Sequence, residues 1–217
     1  MNDKNSLNAP FEKHEVEDYE RKRYRGLDQR LVHKRESRIL GKALRKIALK
    51  SPLALDIPCG YGRFSRLLLD KGFSLVSSDL SFHMVNRAKE KGYLSHRPMG
   101  IVANAKQGLP FREGVFCLLL SMRFFHHVHE RAERENILQE FSRVCSEWVI
   151  LSFYQMNLLH SIQRKLRKRI KKSRTRIKMI PRKEFYKEIE SAGLRVVKVF
   201  PLFKGIHAHH VVLLKKD

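Results

Sequence analysis

Leu-Asp-Ile-Pro-Cys-Gly-Tyr-Gly-Arg, residues 55–63, decides how the chain folds. It closes an apolar run, 53–57, that reads as a buried strand. Glycines at 60 and 62 let the backbone turn sharply and lie close to a ligand. A helix expected over 63–71 then aims its N-terminus at the same place. Asp56 falls at the carboxyl end of the strand, where open α/β sheets bind their ligands. A second apolar run, 74–78, ends at Asp79. An acidic residue about 20 positions beyond such glycines suits a ribose diol.

Outward from this stretch, strand and helix patterns alternate. A helix is expected over 82–91, a short third strand over 100–103, a strongly apolar fourth over 115–121, a helix over 131–144 and a fifth strand over 148–153. Short apolar strands separated by helices indicate a parallel sheet covered on both faces. Beyond it, Pro181 starts a helix over 181–192 and Gly193 caps it. Strands at 194–200 and 208–214 suit an antiparallel pair. The expected organisation is a basic helical arm, 1–50, followed by one doubly wound α/β domain, 51–217, with a basic helical lid or insertion at 157–180.

With 217 residues the chain has room for one sizeable core. Its net charge of +23 calls for an anionic partner, whether nucleic acid, membrane surface or substrate. No apolar run is long enough to span a membrane. Residues 1–10 are polar and lack a signal core, so a cytoplasmic location is expected, with peripheral attachment at the inner membrane face as a variant. Cys59, Cys117 and Cys145 form no pair at metal or disulfide spacing and read as buried thiols.

Four pieces in order carry a resemblance. They are Asp-x-x-x-Gly-x-Gly from Asp56, Ser-Asp-Leu-Ser ending at Ser81, Asn-Ala-x-x-x-Leu-Pro-Phe ending at Phe111, and an apolar strand running into Arg-Phe-Phe-His-His-Val ending at Val128. Together they resemble the class I S-adenosylmethionine-dependent methyltransferases, and more narrowly the small-molecule branch related to the ubiquinone and menaquinone methyltransferases. The likeness spans about 53–153, and the closing helix and strands extend it. It implies a seven-stranded Rossmann-like sheet and S-adenosyl-L-methionine as cofactor; the His and Cys spacings give no metal site. By the same resemblance, Asp56 and the loop Pro58, Cys59, Gly60, Gly62 and Arg63 would hold the methionine end. Asp79 would bind the ribose hydroxyls, with Leu80 beside the adenine. Asn104 and Ala105 would meet the adenine edge, and Met122 and Arg123, as cofactor contacts, would border the methionine and the transferable methyl. In relatives the arm region, here Tyr19, Arg23, Tyr24 and Arg25, often closes over the cofactor.

The chain departs from the family at three places. Pro58 replaces the usual first loop glycine, fixing φ and removing a donor. Cys117 stands where relatives are often acidic, and Cys145-Ser146-Glu147 replaces a Pro-Gly-Gly turn. The loop alone is one residue from a dinucleotide fingerprint. Asp56, Leu109-Pro110-Phe111 and the terminal strand pair favour S-adenosylmethionine over nicotinamide.

His126, His127 and His129 lack HExxH spacing and an accompanying cysteine pair. His207 and His209 alternate with His210, which separates them across a strand. An oxygen nucleophile needs a base, for which His127 and Tyr154 are the candidates. Between Trp148 and Lys183 the chain has no acid and 12 Lys and Arg. Within it, Leu158, Leu159, Ile162, Leu166 and Ile170 recur near helical spacing. Such a basic amphipathic helix either packs on the body or meets an anionic membrane or RNA through Arg164 to Lys172.

The expected acceptor is a small molecule, lipid or saccharide, anionic or membrane-associated. Ser121-Met122-Arg123-Phe124 is not the Asn/Asp-Pro-Pro-aromatic run of base-amine methyltransferases. Cys59 follows Pro58 but sits in the cofactor loop, unlike the nucleophile of cytosine C5 enzymes. The alternatives are a tRNA methyltransferase and a non-catalytic RNA- or membrane-binding module on this fold.

Overall fold

The computed structural model describes residues 11–47, 53–90, 99–156, 178–203 and 208–217, without the side chains of 22–25. Two helices lead, α1 (Lys13–Arg25) and α2 (Leu27–Leu44). Then follow β1 (Leu53–Asp56), α3 (Ser65–Leu69), β2 (Ser74–Asp79), α4 (Phe82–Glu90), β3 (Met99–Val102), β4 (Phe116–Ser121), a 3-10 turn (Phe125–His127), α5 (Arg131–Val144) and β5 (Cys145–Tyr154). The described chain closes with α6 (Arg182–Ser191), β6 (Leu194–Pro201) and β7 (His209–Lys216).

The strands make one seven-stranded sheet, ordered β3-β2-β1-β4-β5-β7-β6. β1 to β5 pair in parallel, while β7 runs antiparallel to both β5 and β6. This is the expected doubly wound, mostly parallel sheet with an antiparallel terminal pair.

Strand alternation explains how both faces are covered. Leu55, Phe116, Leu119, Val149, Leu151, Phe153, Val212 and Leu214 face α5 and α6, meeting Ile137, Phe141, Phe185 and Ile189. Ala54, Leu118, Leu120, Ile150, Val211 and Leu213 face the other way, against Ile39, Leu40, Ala43 and Leu44 of α2 and Leu68 of α3. β4 is buried along its whole length, as a strand with helices on both faces must be. α2 thus buries an apolar stripe on the sheet.

Several boundaries differ from the sequence reading. The helix expected from Arg63 starts at Ser65, because Gly60 (φ +53°) and Gly62 (φ +77°) take the chain through left-handed turns first. Those turns are held by the Gly62 N–H to Cys59 O and the Ser65 N–H to Gly62 O. β5 starts at Cys145, directly off α5, and β7 runs on to Lys216. Of the helix expected over 157–180, residues 157–177, including Arg164 to Lys172, lie outside the described residues. Its end is not helical: Ile180 donates its N–H to Tyr154 O and pairs with Gln155 as a parallel bridge. A segment whose backbone is satisfied on a strand tip has no need of a helix turn.

α5 and α6 are tied by buried charge. The Arg134 guanidinium, 1 % exposed, donates to both oxygens of buried Glu188, to Glu184 and to His129 O.

Candidate functional site

β1 and β2 pair in parallel with Asp56 opposite Ser77, so the two strands end side by side and bring Asp56 and Asp79 to one edge. The loop between β1 and α3 folds over that edge. Cys59 donates its N–H to Ser78 O at 2.8 Å, and Gly60 donates its N–H to Asp79 Oδ2 at 2.9 Å. Asp79 Oδ1 accepts the Ser81 N–H at 3.0 Å. Asp79 therefore fastens the glycine loop to the second strand, and each of its oxygens keeps a second lone pair.

Asp56 is different. Its Oδ2 is buried with no hydrogen-bond partner. Burial, and secondarily the nearby Asp79, push its pKa up to about 8. Burial likewise raises Asp79, opposed by the N–H groups of Ser81 and Gly60. Buried carboxylates without donors are costly unless something cationic or hydrogen-donating arrives. Gly60 has open space where a Cβ would sit. An unpartnered carboxylate oxygen, an open glycine and a second carboxylate on the neighbouring strand tip suit a ligand with an ammonium and a ribose. These residues fit S-adenosylmethionine.

The first helix covers this edge. Ser81 donates its hydroxyl to Phe11 O at 2.8 Å, Val16 packs with Tyr61 and Met84, and Arg87 of α4 pairs with Glu20 at 3.0 Å. Tyr19 meets Tyr61 edge-on at 6.2 Å. On the far side, Asn104 Oδ1 accepts the Lys106 N–H at 3.0 Å, closing a turn, while Ala103 donates to Asp79 O at 3.0 Å. Ala105 is buried in the core, and Leu80 is half-buried beside Asp79. Cys59, Cys117 and Cys145 are all buried, and burial raises each thiol's pKa above the ordinary value. Pro58 follows a cis peptide bond at Ile57.

A second group assembles past β4. Met122 packs into the core, and the next residue, Arg123, holds a left-handed φ of +58°. Such a backbone in a long side chain is strained, and strain of this kind gathers at functional sites. Arg123 donates its N–H to Ser152 Oγ at 2.7 Å and its Nε to Glu36 Oε1 at 2.7 Å. Glu36, fully buried on α2, also accepts from Arg63 of the glycine loop and faces His209 Nδ1 at 3.4 Å. Although burial opposes it, Glu36 and then Tyr154 raise the Arg123 pKa and keep it charged.

The aromatic groups form a row beside it. Tyr154 stacks on buried His209 at 4.8 Å with planes 8° apart, meets His126 at 4.9 Å, and His126 meets His127 at 3.9 Å. Lys178 donates its N–H to His126 O at 2.9 Å, so both ends of the undescribed stretch 157–177 are anchored here. His210 turns the other way, towards Phe153 at 5.9 Å, as strand alternation requires. Among the described residues no group of three or more His, Cys, Asp or Glu is arranged to hold a metal.

Glu36 and His209 were not singled out as site residues from the sequence. A signal for Glu36 was there: it interrupts the apolar stripe Val32, Leu40, Ala43 of a helix at i, i+4 spacing, where an acid needs a partner. His209 gives no such signal, because its neighbour Tyr154 is set by the β5–β7 register.

Residues 55–153 match the family described as "Methyltransferase domain". The match takes in just under half of the chain, and the sheet order is that of the Rossmann-like methyltransferase fold. Its fold is similar to magnesium protoporphyrin IX methyltransferase from Synechocystis PCC 6803 with bound S-adenosylhomocysteine. That pair shares 16 % identity at a TM-score of 0.76, covering 92 % of this chain and 94 % of the other. It is similar to a SAM-dependent methyltransferase from Methanosarcina mazei at 18 % identity and a TM-score of 0.67, over 80 % and 96 % of the two chains. A Pyrococcus horikoshii OT3 protein matches at 23 % identity and 0.66, over 84 % and 91 %. A sequence comparison with curated proteins finds no match.

Proposed function

We propose that the protein transfers the methyl group of S-adenosylmethionine to a small acceptor that is anionic or presented at an anionic surface. The observation that carries the cofactor half is the buried Asp56 oxygen without a partner at the mouth of the glycine loop. When bound, the cofactor supplies an activated methyl on a sulfonium. The protein's part is then alignment, exclusion of water and handling of a proton. Asp56 and the loop from Pro58 and Cys59 to Arg63 hold the methionine end, and Asp79 takes the ribose hydroxyls with Leu80 alongside. Asn104 and Ala105 border the adenine. Met122 and Arg123 line the transfer position. α1 with Tyr19 and Tyr61 shields the pocket from water. Tyr154 and His127, in one aromatic row, are placed to take a proton from an oxygen nucleophile.

Charge supports the acceptor half. The acid-free stretch 157–177 lies in sequence between Met156 and Lys178, which both sit beside this row. The same stretch favours RNA as a second reading of the acceptor. On sequence grounds we place the reaction in the cytoplasm or at its membrane face.

Calorimetry with S-adenosylhomocysteine tests the first half: saturable one-to-one binding is expected. A labelled-methyl screen against lipid, small-molecule and tRNA extracts tests the second. Label in tRNA with steeply salt-dependent affinity would transfer the reading to RNA. Failure of S-adenosylhomocysteine to bind or to raise the melting temperature would leave a non-catalytic module.

A further inference from the structure

The charges past β4 do not balance. Glu36 is one carboxylate, buried and shared between two guanidiniums, Arg63 and Arg123. Arg123 uses its backbone N–H on Ser152 and its Nε on Glu36. Among the described residues, its Nη1 and Nη2 donate to nothing. The side chain is only 15 % exposed. A guanidinium carries five donors in a fixed fork, and the outer nitrogens here are not sealed off from solvent, so their four N–H bonds are open to an incoming ligand.

The geometry around it is well fixed. The φ of +58° is held by the Ser152 bond, and Glu36 grips the guanidinium from the α2 side. The second oxygen of Glu36 is taken by Arg63, which pins that carboxylate in turn. Tyr154 and Tyr19 lie close enough to act on the Arg123 charge. A fork held by its Nε, with its outer nitrogens open, matches the planar face of an oxyanion.

We propose that Arg123 reads the acceptor: its open Nη pair receives a carboxylate or phosphate of the methyl acceptor, and Glu36 is the positioning residue that holds the fork towards it. This rests on the methyltransferase reading above and goes further by naming the acceptor's recognised group. It also separates two duties on one loop pair. Asp56 and Asp79 serve the cofactor, while Arg123 serves the second substrate.

The test uses the full chain and simple probes. S-adenosylhomocysteine, methylthioadenosine, benzoate and phenyl phosphate are titrated calorimetrically into wild type, Arg123→Gln and Arg123→Lys, the last two probes with S-adenosylhomocysteine already bound. Expected is saturable binding of at least one oxyanion to the loaded wild type, weakened about tenfold or more in Arg123→Gln, with S-adenosylhomocysteine affinity held within about twofold. Arg123→Lys should fall between, since charge remains but the fork is lost. The tighter of benzoate and phenyl phosphate assigns carboxylate or phosphate. Should Arg123→Gln weaken S-adenosylhomocysteine but not methylthioadenosine, Arg123 serves the methionine carboxylate, and the proposal fails while the methyltransferase reading stands. Oxyanion binding absent in wild type, or untouched by Arg123→Gln, overturns it too. Wild type that does not bind S-adenosylhomocysteine overturns the parent reading. Arginine side-chain ¹⁵N shifts of wild type on adding benzoate give a readout free of any folding defect: Arg123 must move.

Discussion

Replacing Asp56 by Asn removes a buried titratable carboxyl that the fold itself does not satisfy. The carboxyl is 2 % exposed, one oxygen has no partner, and its pKa stands at about 8 against an ordinary 3.8. A carboxyl raised in this way is protonated in the folded chain while the unfolded chain has already released its proton. The folded state therefore binds the extra proton between about pH 4 and 8, and stability falls as pH rises through that window. Each unit costs about 1.4 kcal/mol, so wild type loses about 2.7 kcal/mol from this group between pH 5 and 7. Those two values lie a full unit inside both limits. Urea unfolding of ligand-free protein at pH 5 and 7 should show this loss in wild type but not in Asp56→Asn, whose amide does not titrate. Binding supplies a second reading. A ligand ammonium at Asp56 draws its pKa down, so S-adenosylhomocysteine binding at pH 7 should release close to one proton more in wild type than in the variant. Calorimetry in two buffers of different ionisation enthalpy measures it. Equal pH slopes in the two proteins, together with equal proton release, would refute the reasoning.

Four further outcomes are expected. Asp79→Ala should weaken S-adenosylhomocysteine binding by about 1–3 kcal/mol by calorimetry, through lost hydrogen bonds and a loosened Gly60 loop. Gly60→Ala meets no atom within 4 Å but must hold φ at +53°, so equilibrium unfolding should show a loss of about 1–2 kcal/mol that is conformational, not steric. Glu36→Ala leaves two guanidiniums facing no carboxylate and should cost about 3–5 kcal/mol in urea unfolding. Phe141→Ala, fully buried between sheet and α5, should cost about 3–5 kcal/mol in the same assay and leave S-adenosylhomocysteine affinity per folded molecule unchanged.

The sheet was legible because its strands are buried on both faces and read as unbroken apolar runs, β4 most clearly. The proposed cofactor edge was legible for a local reason: Asp56, Gly60 and Gly62 lie within seven residues, and Asp79 ends the next strand. Helix boundaries near the glycines were not, since two left-handed turns delay α3 by two residues in a way that periodicity does not register. The second group was least legible. Glu36, Arg63, Arg123, Tyr154 and His209 come from five separate parts of the chain and meet only through α2 packing and the β5–β7 register. His127 and Tyr154 stand out in the sequence beside strand ends, whereas His209, buried between Tyr154 and Glu36, is indistinguishable there from His207 and His210.

Because Glu36 belongs to a helix upstream of the first strand, the minimal catalytic piece is larger than the matched stretch 55–153 suggests. A fragment beginning at residue 53 would keep every cofactor carboxylate and glycine. It would also strand two like-charged side chains in a greasy cleft and uncover the part of the sheet that α2 packs on. Such a fragment should be sought in inclusion bodies, and lost turnover in it would say nothing about the chemistry.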